Sequence, residues 1–277
     1  MRHSHVYSAD ELRILQNELL SILKEIDQIC KRNNIKYFAV GGTLLGAVRH
    51  HGFIPWDDDI DIGMLRSDYN KFILIAKKEL PNNYFVLNFD ENNHFPASFT
   101  KVCKKNTTFV EYETRKLKYP HCLFVDIMPY DKTFDDNGKR IKHLKKGKIY
   151  HQLFKSRMLW GVSSLSSEKQ KKIGKVVRPI LHILLSPFPK RFIYNKMIYN
   201  MSKYNDLIGD EHIVFWSEER FANSTKCYFP LVTVLFEDIE MPIPNNYDVI
   251  LKKQYGNYME LPPKEKRVSH SPYILKL

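Results

Sequence analysis

A chain of 277 residues with 43% apolar composition is long enough to bury a sizeable core and short enough to be one domain. Its 43 Lys and Arg outweigh 31 Asp and Glu, and the net charge of +12 excludes an acidic solvating protein and points to anionic partners. Four cysteines, Cys30, Cys103, Cys122 and Cys227, stand far apart with no paired spacing and no histidines set for zinc, which excludes a disulfide framework and a zinc module and fits a reducing, cytoplasmic setting.

The polar stretch Met1 to Asp10 predicts no signal peptide. Ser8 and Glu11 form a capping box, and Leu12, Leu15, Leu19, Ile22, Leu23, Ile26 and Ile29 keep helical spacing to about Asn33, so a scaffolding helix is expected to pack on a sheet that starts at Ile35. Tyr37 to Val40 then reads as a short buried strand. Gly41-Gly42 lets the backbone turn, and Thr43 is the expected N-cap of a short helix from Leu44 to Val48. Strand, glycine turn and helix start together aim free N–H groups at an anion such as phosphate, although a Gly-Gly pair by itself is equally a plain turn. Arg49-His50-His51 follows as a basic cluster, facing either a phosphate or solvent at a helix end.

The next stretch, Trp56 to Ile62, carries four aspartates. Strand alternation sends Ile60 and Ile62 to one face and Asp59 and Asp61 to the other, so two carboxylates stand side by side. Like charges that close call for a cation, and oxygen ligands suit Mg²⁺ (or Mn²⁺); a solvated acidic loop is the alternative. By the same alternation Asp58 shares the Ile60 face and Asp57 sits at the strand's entry, which leaves Asp59 and Asp61 as the candidate ligands.

Ser67 to Leu80 reads as a helix, and Phe85–Phe89, Phe99–Val102, Thr108–Tyr112 and Leu123–Met128 read as strands. In the last of these Asp126 is a lone acid between Val125 and Ile127. Burying it unpaired would cost several kcal/mol, so it must face a cavity or hold a partner, and it is the expected third ligand. Lys101 lies among apolar neighbours, aimed at a phosphate or placed on an edge strand.

From Lys139 to Lys196 there are sixteen Lys or Arg against one acid, Glu168, so this stretch carries +15 and the remainder is nearly neutral. Within it Lys172, Lys175, Arg178 and His182 recur at helical spacing among Ile173, Val176, Val177, Ile180, Leu181, Leu184 and Leu185. A basic amphipathic helix over 172–185 is expected, kinked or interrupted at Pro179 and ended near Pro187, too charged to span a membrane but suited to lie on an anionic one. A packed helical lobe with a solvated basic face is the alternative. Nucleic acid is the weaker partner, since the aromatic and basic interleaving of RNA modules is not evident. Pro242-Ile243-Pro244 reads as an extended connector, Asn246 to Tyr255 as a helix stopped by Gly256, and His270 has no evident structural reason. No repeat appears, so a single domain over 1–277 is expected, with a basic helical insertion lobe over 139–222.

Gly41-Gly42-Thr43, Asp59-Ile60-Asp61-Ile62 and Val125-Asp126-Ile127 together resemble the nucleotidyltransferase signature. More narrowly, GGTLLGAVRHHGFIPWDDDIDIGM and the closing run FEDIEMPIPNNYDVILKKQYGNYMELPP, followed by His270, are similar to the LicD family of phosphotransferases, to which the fukutin-related proteins belong. The resemblance is dense from Ile35 to Met64 and faint between Asp135 and Asn223. It implies an α/β fold of the α+β kind, a mixed sheet flanked by helices. It also implies transfer of phosphocholine or a phosphorylated polyol from a CDP-activated donor to a glycan acceptor of lipopolysaccharide, teichoic acid or capsule, releasing CMP. On that basis Asp59, Asp61 and Asp126 hold Mg²⁺ and carry catalysis. Gly41, Gly42, Thr43 and Arg49 bind the donor phosphates, and Lys101 and His270 are candidate substrate contacts. The enzyme would work in the cytoplasm or on the inner membrane face. The carboxylates equally serve a nucleotidyltransferase attacking an α-phosphorus, and a non-catalytic basic relic of the fold is the rival from another class.

Overall fold

The structure, a computed structural model, describes residues 5–159, 168–208, 211–215 and 218–277; the side chains of 168–176 are outside the described set. Helix α1 (Ala9–Arg32) starts where expected, with Ser8 Oγ accepting from the Glu11 amide. The Glu11 carboxylate does not return to complete the box and instead meets the His5 ring at 2.8 Å. Strand β1 (Phe38–Ala39) leads into α2 (Gly41–His50), β2 (Asp61–Leu65) and α3 (Arg66–Glu79). Then come β3 (Tyr84–Leu87), β4 (Thr100–Lys104), β5 (Thr108–Val110) and the long β6 (Leu123–Thr133).

The central sheet runs β1-β2-β6-β4-β3, antiparallel except for the parallel β2–β6 pair. This mixed sheet with helices against it is the expected α/β class. One face is the apolar row of Ile62, Val102, Val125 and Ile127, fully buried where α1 and α3 pack on the sheet. The opposite face is left for the charged side chains. Because β4 lies between β6 and β3, Lys101 is on an interior strand, not an edge.

Helices α4 (Asn137–Met158), α5 (Glu168–Leu185) and α6 (Lys190–Ser202) form the helical lobe, with its own small core of Phe89, Phe154, Met158, Ile193, Met197 and Met201. Helix α5 runs through Pro179 without interruption and ends at Leu185, close to the expected stop near Pro187. Lys172, Ile173, Lys175 and Val176 of the expected amphipathic helix have side chains outside the described residues. Strands β7 (His212–Val214) and β8 (Asn223–Ser224) extend the C-terminal end of β6, which ties the lobe back to the sheet. The hairpin of β9 (Val232–Phe236) and β10 (Ile239–Ile243) absorbs Pro242-Ile243, so the expected connector is paired strand. Helix α7 (Tyr247–Tyr255) stops at Gly256, and β11 (Ile274–Lys276) pairs with β5. All four cysteines are free thiols. Among the described residues, no helix is long and apolar enough to cross a membrane.

Candidate active site

Strand register assembles the first part of the site. Asp61 on β2 lies directly opposite Asp126 on β6, and Lys101 on β4 lies opposite Asp126 on the other side. Paired residues point to the same face, so three charged side chains stand in a row away from α1 and α3. Lys101 Nζ is 3.9 Å from Asp126 Oδ1 and 3.3 Å from Glu111 Oε2, and it sits over the Phe124 ring. Asp126 Oδ1 is buried and has no hydrogen-bond partner.

The residues before β2 belong to no strand, yet their burial alternates: Asp58 is buried with Ile60 and Ile62, and Asp57 and Asp59 lie on the open side with Asp61. Asp58 turns inward: Oδ1 accepts from the His270 amide at 2.8 Å, and Oδ2 accepts from Tyr7 Oη at 2.8 Å and from the Ser271 amide at 3.1 Å. It is an anchor that draws both ends of the chain to the site. Asp59 stays on the open side, with Oδ2 3.2 Å from His270 Nδ1. Asp57 joins it, so that one ligand atom each from Asp57, Asp59 and His270 lie within 4.8 Å of one another. Asp57, expected at a strand entry and outside the ligand set, therefore belongs with Asp59, because positions 57, 59 and 61 share one side. His270 also has a structural reason after all, as the partner of Asp58.

The glycine turn works differently from a phosphate cradle capped by Thr43. Helix α2 begins at Gly41, and its N-cap is Val40 in extended conformation; Thr43 is inside the helix and buried. The Thr43 hydroxyl accepts from the Asp61 amide at 2.8 Å, which fixes the entry of β2. Gly41 has φ +55°, and a Cβ there would lie 3.5 Å from Asp61 Oδ2. A Cβ on Gly42 would come within 2.8 Å of Asp57 Oδ2. The Asp57 carboxyl itself occupies the space beside this helix start.

Arg49 is at the other end of α2. Its guanidinium donates to the carbonyls of Tyr258 at 2.6 Å and Glu260 at 3.3 Å, and to His50. It clamps the C-terminal segment to α2, so the expected phosphate contact is replaced by a structural one.

The strand row, the aspartate cluster and the glycine helix start lie in the segments whose sequence carries the family resemblance. A family model described as the LicD/FKTN/FKRP nucleotidyltransferase domain matches residues 34–165. Those residues carry the chain's similarity to the LicD family. Across nearly its whole length the chain is 29% identical to the lipopolysaccharide cholinephosphotransferase LicD of Haemophilus influenzae, over 95% of this chain and 98% of that protein. It is 49% identical to an uncharacterised protein of Rickettsia typhi over 50% of this chain and 43% of the other. The ribitol 5-phosphate transferase FKRP of Mus musculus is 31% identical over 26% of this chain and 18% of its own length.

The matched segment supplies Asp57, Asp59, Asp61, Asp126 and Lys101, while Tyr7, Tyr255 and His270 reach the site from outside it. Asp59, Asp61, Lys101, Asp126 and His270 border a cavity of about 310 Å³ that runs past Tyr119 to His151 and Lys155 on α4. Burial, then the neighbouring Asp59 charge, pushes the Asp57 carboxyl up to about 8. Burial raises Asp126 to about 7, against the pull of Lys101 and with the push of Glu111 and Asp59. Asp61 is raised well above the ordinary range by burial and by Asp59, Asp126 and Asp57 together. Asp58 goes the other way: burial would raise it, but the His270 ring and amide and the Tyr7 hydroxyl outweigh that. His270 in turn is pushed up to about 10 by its hydrogen bond to Asp58 and the charge of Asp59. The same carboxylates raise the Tyr255 hydroxyl, after burial, which places that ring beside the cluster.

Four crowded carboxylates with raised pKa, one bearing an unpartnered buried oxygen, fit a hard divalent cation such as Mg²⁺. Among the described residues, the ligand atoms close enough to share one cation are those of Asp57, Asp59 and His270, and Asp61 and Asp126 line the adjoining cavity. Alternation carried two residues further back finds Asp57, since Asp57, Asp59 and Asp61 are all partly exposed while Asp58, Ile60 and Ile62 are buried.

Proposed function

We propose that this protein is a metal-dependent phosphotransferase. It moves a substituted phosphate, phosphocholine or a phosphorylated polyol, from a CDP-activated donor to a hydroxyl of a cell-surface glycan and releases CMP. The reading rests above all on the Asp61–Asp126 register beside Asp57 and Asp59, and it is supported by the names of the relatives that share the domain. Asp57, Asp59, Asp61 and Asp126 would hold Mg²⁺, or Mn²⁺, which when bound supplies charge neutralisation for the donor pyrophosphate and the departing phosphate.

The chain's own residues do the rest. His270, charged and tied to Asp58, presents its half-exposed ring to the cavity and contacts donor phosphate oxygens. Asp126, whose buried Oδ1 has no hydrogen-bond partner and which lines the cavity, would help to activate the attacking hydroxyl. Lys101 keeps that carboxylate in place and limits how far its pKa rises. Gly41 and Gly42 let the carboxylates approach α2, and Thr43 orients Asp61 by accepting its amide proton.

Incubation with CDP-choline, CDP-ribitol or CTP, each with Mg²⁺ and bacterial surface glycan, tests the reading. CMP release with one CDP donor is expected, and EDTA should stop it. Asp59→Asn, Asp61→Asn and Asp126→Asn should each lower turnover by at least about a hundredfold. Pyrophosphate release from CTP would mean attack at the α-phosphorus and overturn the regiochemistry. Turnover unaffected by EDTA would overturn the metal.

A further inference from the structure

Exposed apolar side chains occur singly on most proteins, but on α5 and the turn that follows they line up. Val177, Ile180 and Leu184 are spaced i, i+3, i+7 along one face, with Ile183 beside them. The stripe continues through the turn to Phe188 and onto α6 with Phe192, whose rings stack at 6.4 Å between centroids. All six are between 43 and 63% exposed. The other side of α5 is spoken for: Leu185 packs against the lobe core, and His182 Nδ1 meets the Ser156 carbonyl at 2.9 Å. Arg157 on α4 donates to the carbonyls of Phe188 and Ser186, which holds the turn in shape. The apolar tip is therefore a pre-formed wedge.

Its electrostatic setting decides what it meets. Lys139 to Lys196 carries sixteen Lys or Arg and one acid. Lys196 Nζ lies 5.6 Å from the centre of the Phe192 ring, so cationic and apolar groups share the same edge. A second copy of this face would bring like charge against like charge. A nucleic acid would pair with the cations and leave the apolar stripe in water. A surface with negative headgroups above a hydrocarbon interior satisfies both.

We infer that the α5–α6 tip, Val177 to Phe192, docks the protein peripherally onto an anionic phospholipid bilayer, with the apolar stripe entering the headgroup boundary and the lobe's cations facing the headgroups. This does not depend on the catalytic reading. The contact expected over 172–185 is thereby moved toward the tip, to the residues that project there.

Flotation of the full chain with vesicles tests it. The protein should float with mixed phosphatidylcholine and phosphatidylglycerol, bind phosphatidylcholine alone at least about tenfold less, and be released by salt. The triple variant Leu184→Ser, Phe188→Ser, Phe192→Ser should partition at least about tenfold less while keeping the wild-type circular dichroism and melting temperature, since the three side chains are exposed. Phe188→Trp should gain a blue-shifted emission on the mixed vesicles that it lacks in buffer. Failure of the wild type to float, or a triple variant that floats as well as wild type, overturns the inference. So does a wild-type dimer that the triple variant dissolves without any flotation, because the face would then be an interface between copies.

Discussion

At the scale of single residues, the site is a set of carboxylates whose mutual repulsion is kept in the fold, and that has a measurable consequence. In metal-free protein Asp57 and Asp126 hold protons up to about pH 8 and 7, whereas in the unfolded chain they release them near pH 4. Between those limits the folded state binds more protons than the unfolded, so stability must fall as pH rises. His270 acts in the same sense, because its folded pKa near 10 lies above its ordinary 6.5 and its stabilisation is lost as pH rises toward 10. In EDTA the melting temperature should therefore be lower at pH 9 than at pH 6, and Mg²⁺ should remove most of that slope; a slope of the opposite sign would show that the carboxylates are not crowded as described. Thr43 gives a second residue-scale prediction. Thr43→Val deletes the acceptor of the Asp61 amide, should cost about 1–3 kcal/mol in denaturant titrations, and should lower turnover, while Thr43→Ser should restore both. That role was not legible in the local sequence. Thr43 follows two glycines as an N-cap would, but the helix begins one turn early because Gly41 takes φ +55° and Val40 supplies the cap position.

At the scale of elements, the apparatus is held by contacts between segments distant in sequence. The β9–β10 turn places Glu237 against the loop that leads from α2 to the aspartates. Glu237 Oε1 accepts from the Phe53 amide at 3.1 Å, Oε2 accepts from Arg13 on α1 at 2.7 Å, and its own amide donates to the His51 carbonyl. The Arg13 hydrogen bond, with help from the Phe53 amide, holds this carboxyl below the ordinary glutamate range. A depressed folded pKa means stabilisation that is present at neutral pH and lost as pH falls through that range. Glu237→Gln should thus cost about 1 kcal/mol near pH 7 by chemical denaturation, with the gap to wild type closing below about pH 4. An equal cost at both pH values would show that the charge plays no part. The strand elements themselves were largely legible: Val125-Asp126-Ile127 and Ile60-Asp61-Ile62 alternate as read, and α1 begins at the expected Ser8. Arg49 was not legible, because a cation at a helix end looks the same whether it meets a phosphate or, as here, the carbonyls of Tyr258 and Glu260.

At the scale of the molecule, a mixed sheet carries charge on one face and packs helices on the other, and a basic helical lobe borders the far end of the cavity through His151 and Lys155. The two functional surfaces proposed, a carboxylate cavity and an apolar basic tip, are built from different elements and can be tested apart. Short-range pattern was enough to determine the helix and strand periodicities, the residue types suited to a hard cation and phosphate, and the concentration of positive charge between Lys139 and Lys196, since all of these depend on neighbours a few positions away. Tertiary structure alone decided which carboxylates meet. Alternation says which face Asp61, Asp126 and Lys101 share with their own neighbours, but only the parallel β2–β6 and antiparallel β4–β6 registers put them in one row. It was likewise long-range packing that supplied Tyr7, His270 and Ser271 as partners of the inward Asp58, and His270 as the neighbour of Asp57 and Asp59. Alternation sets Asp58 on the buried side and Asp57 and Asp59 on the open one, but the partners that satisfy each carboxylate come from distant segments that no local period places.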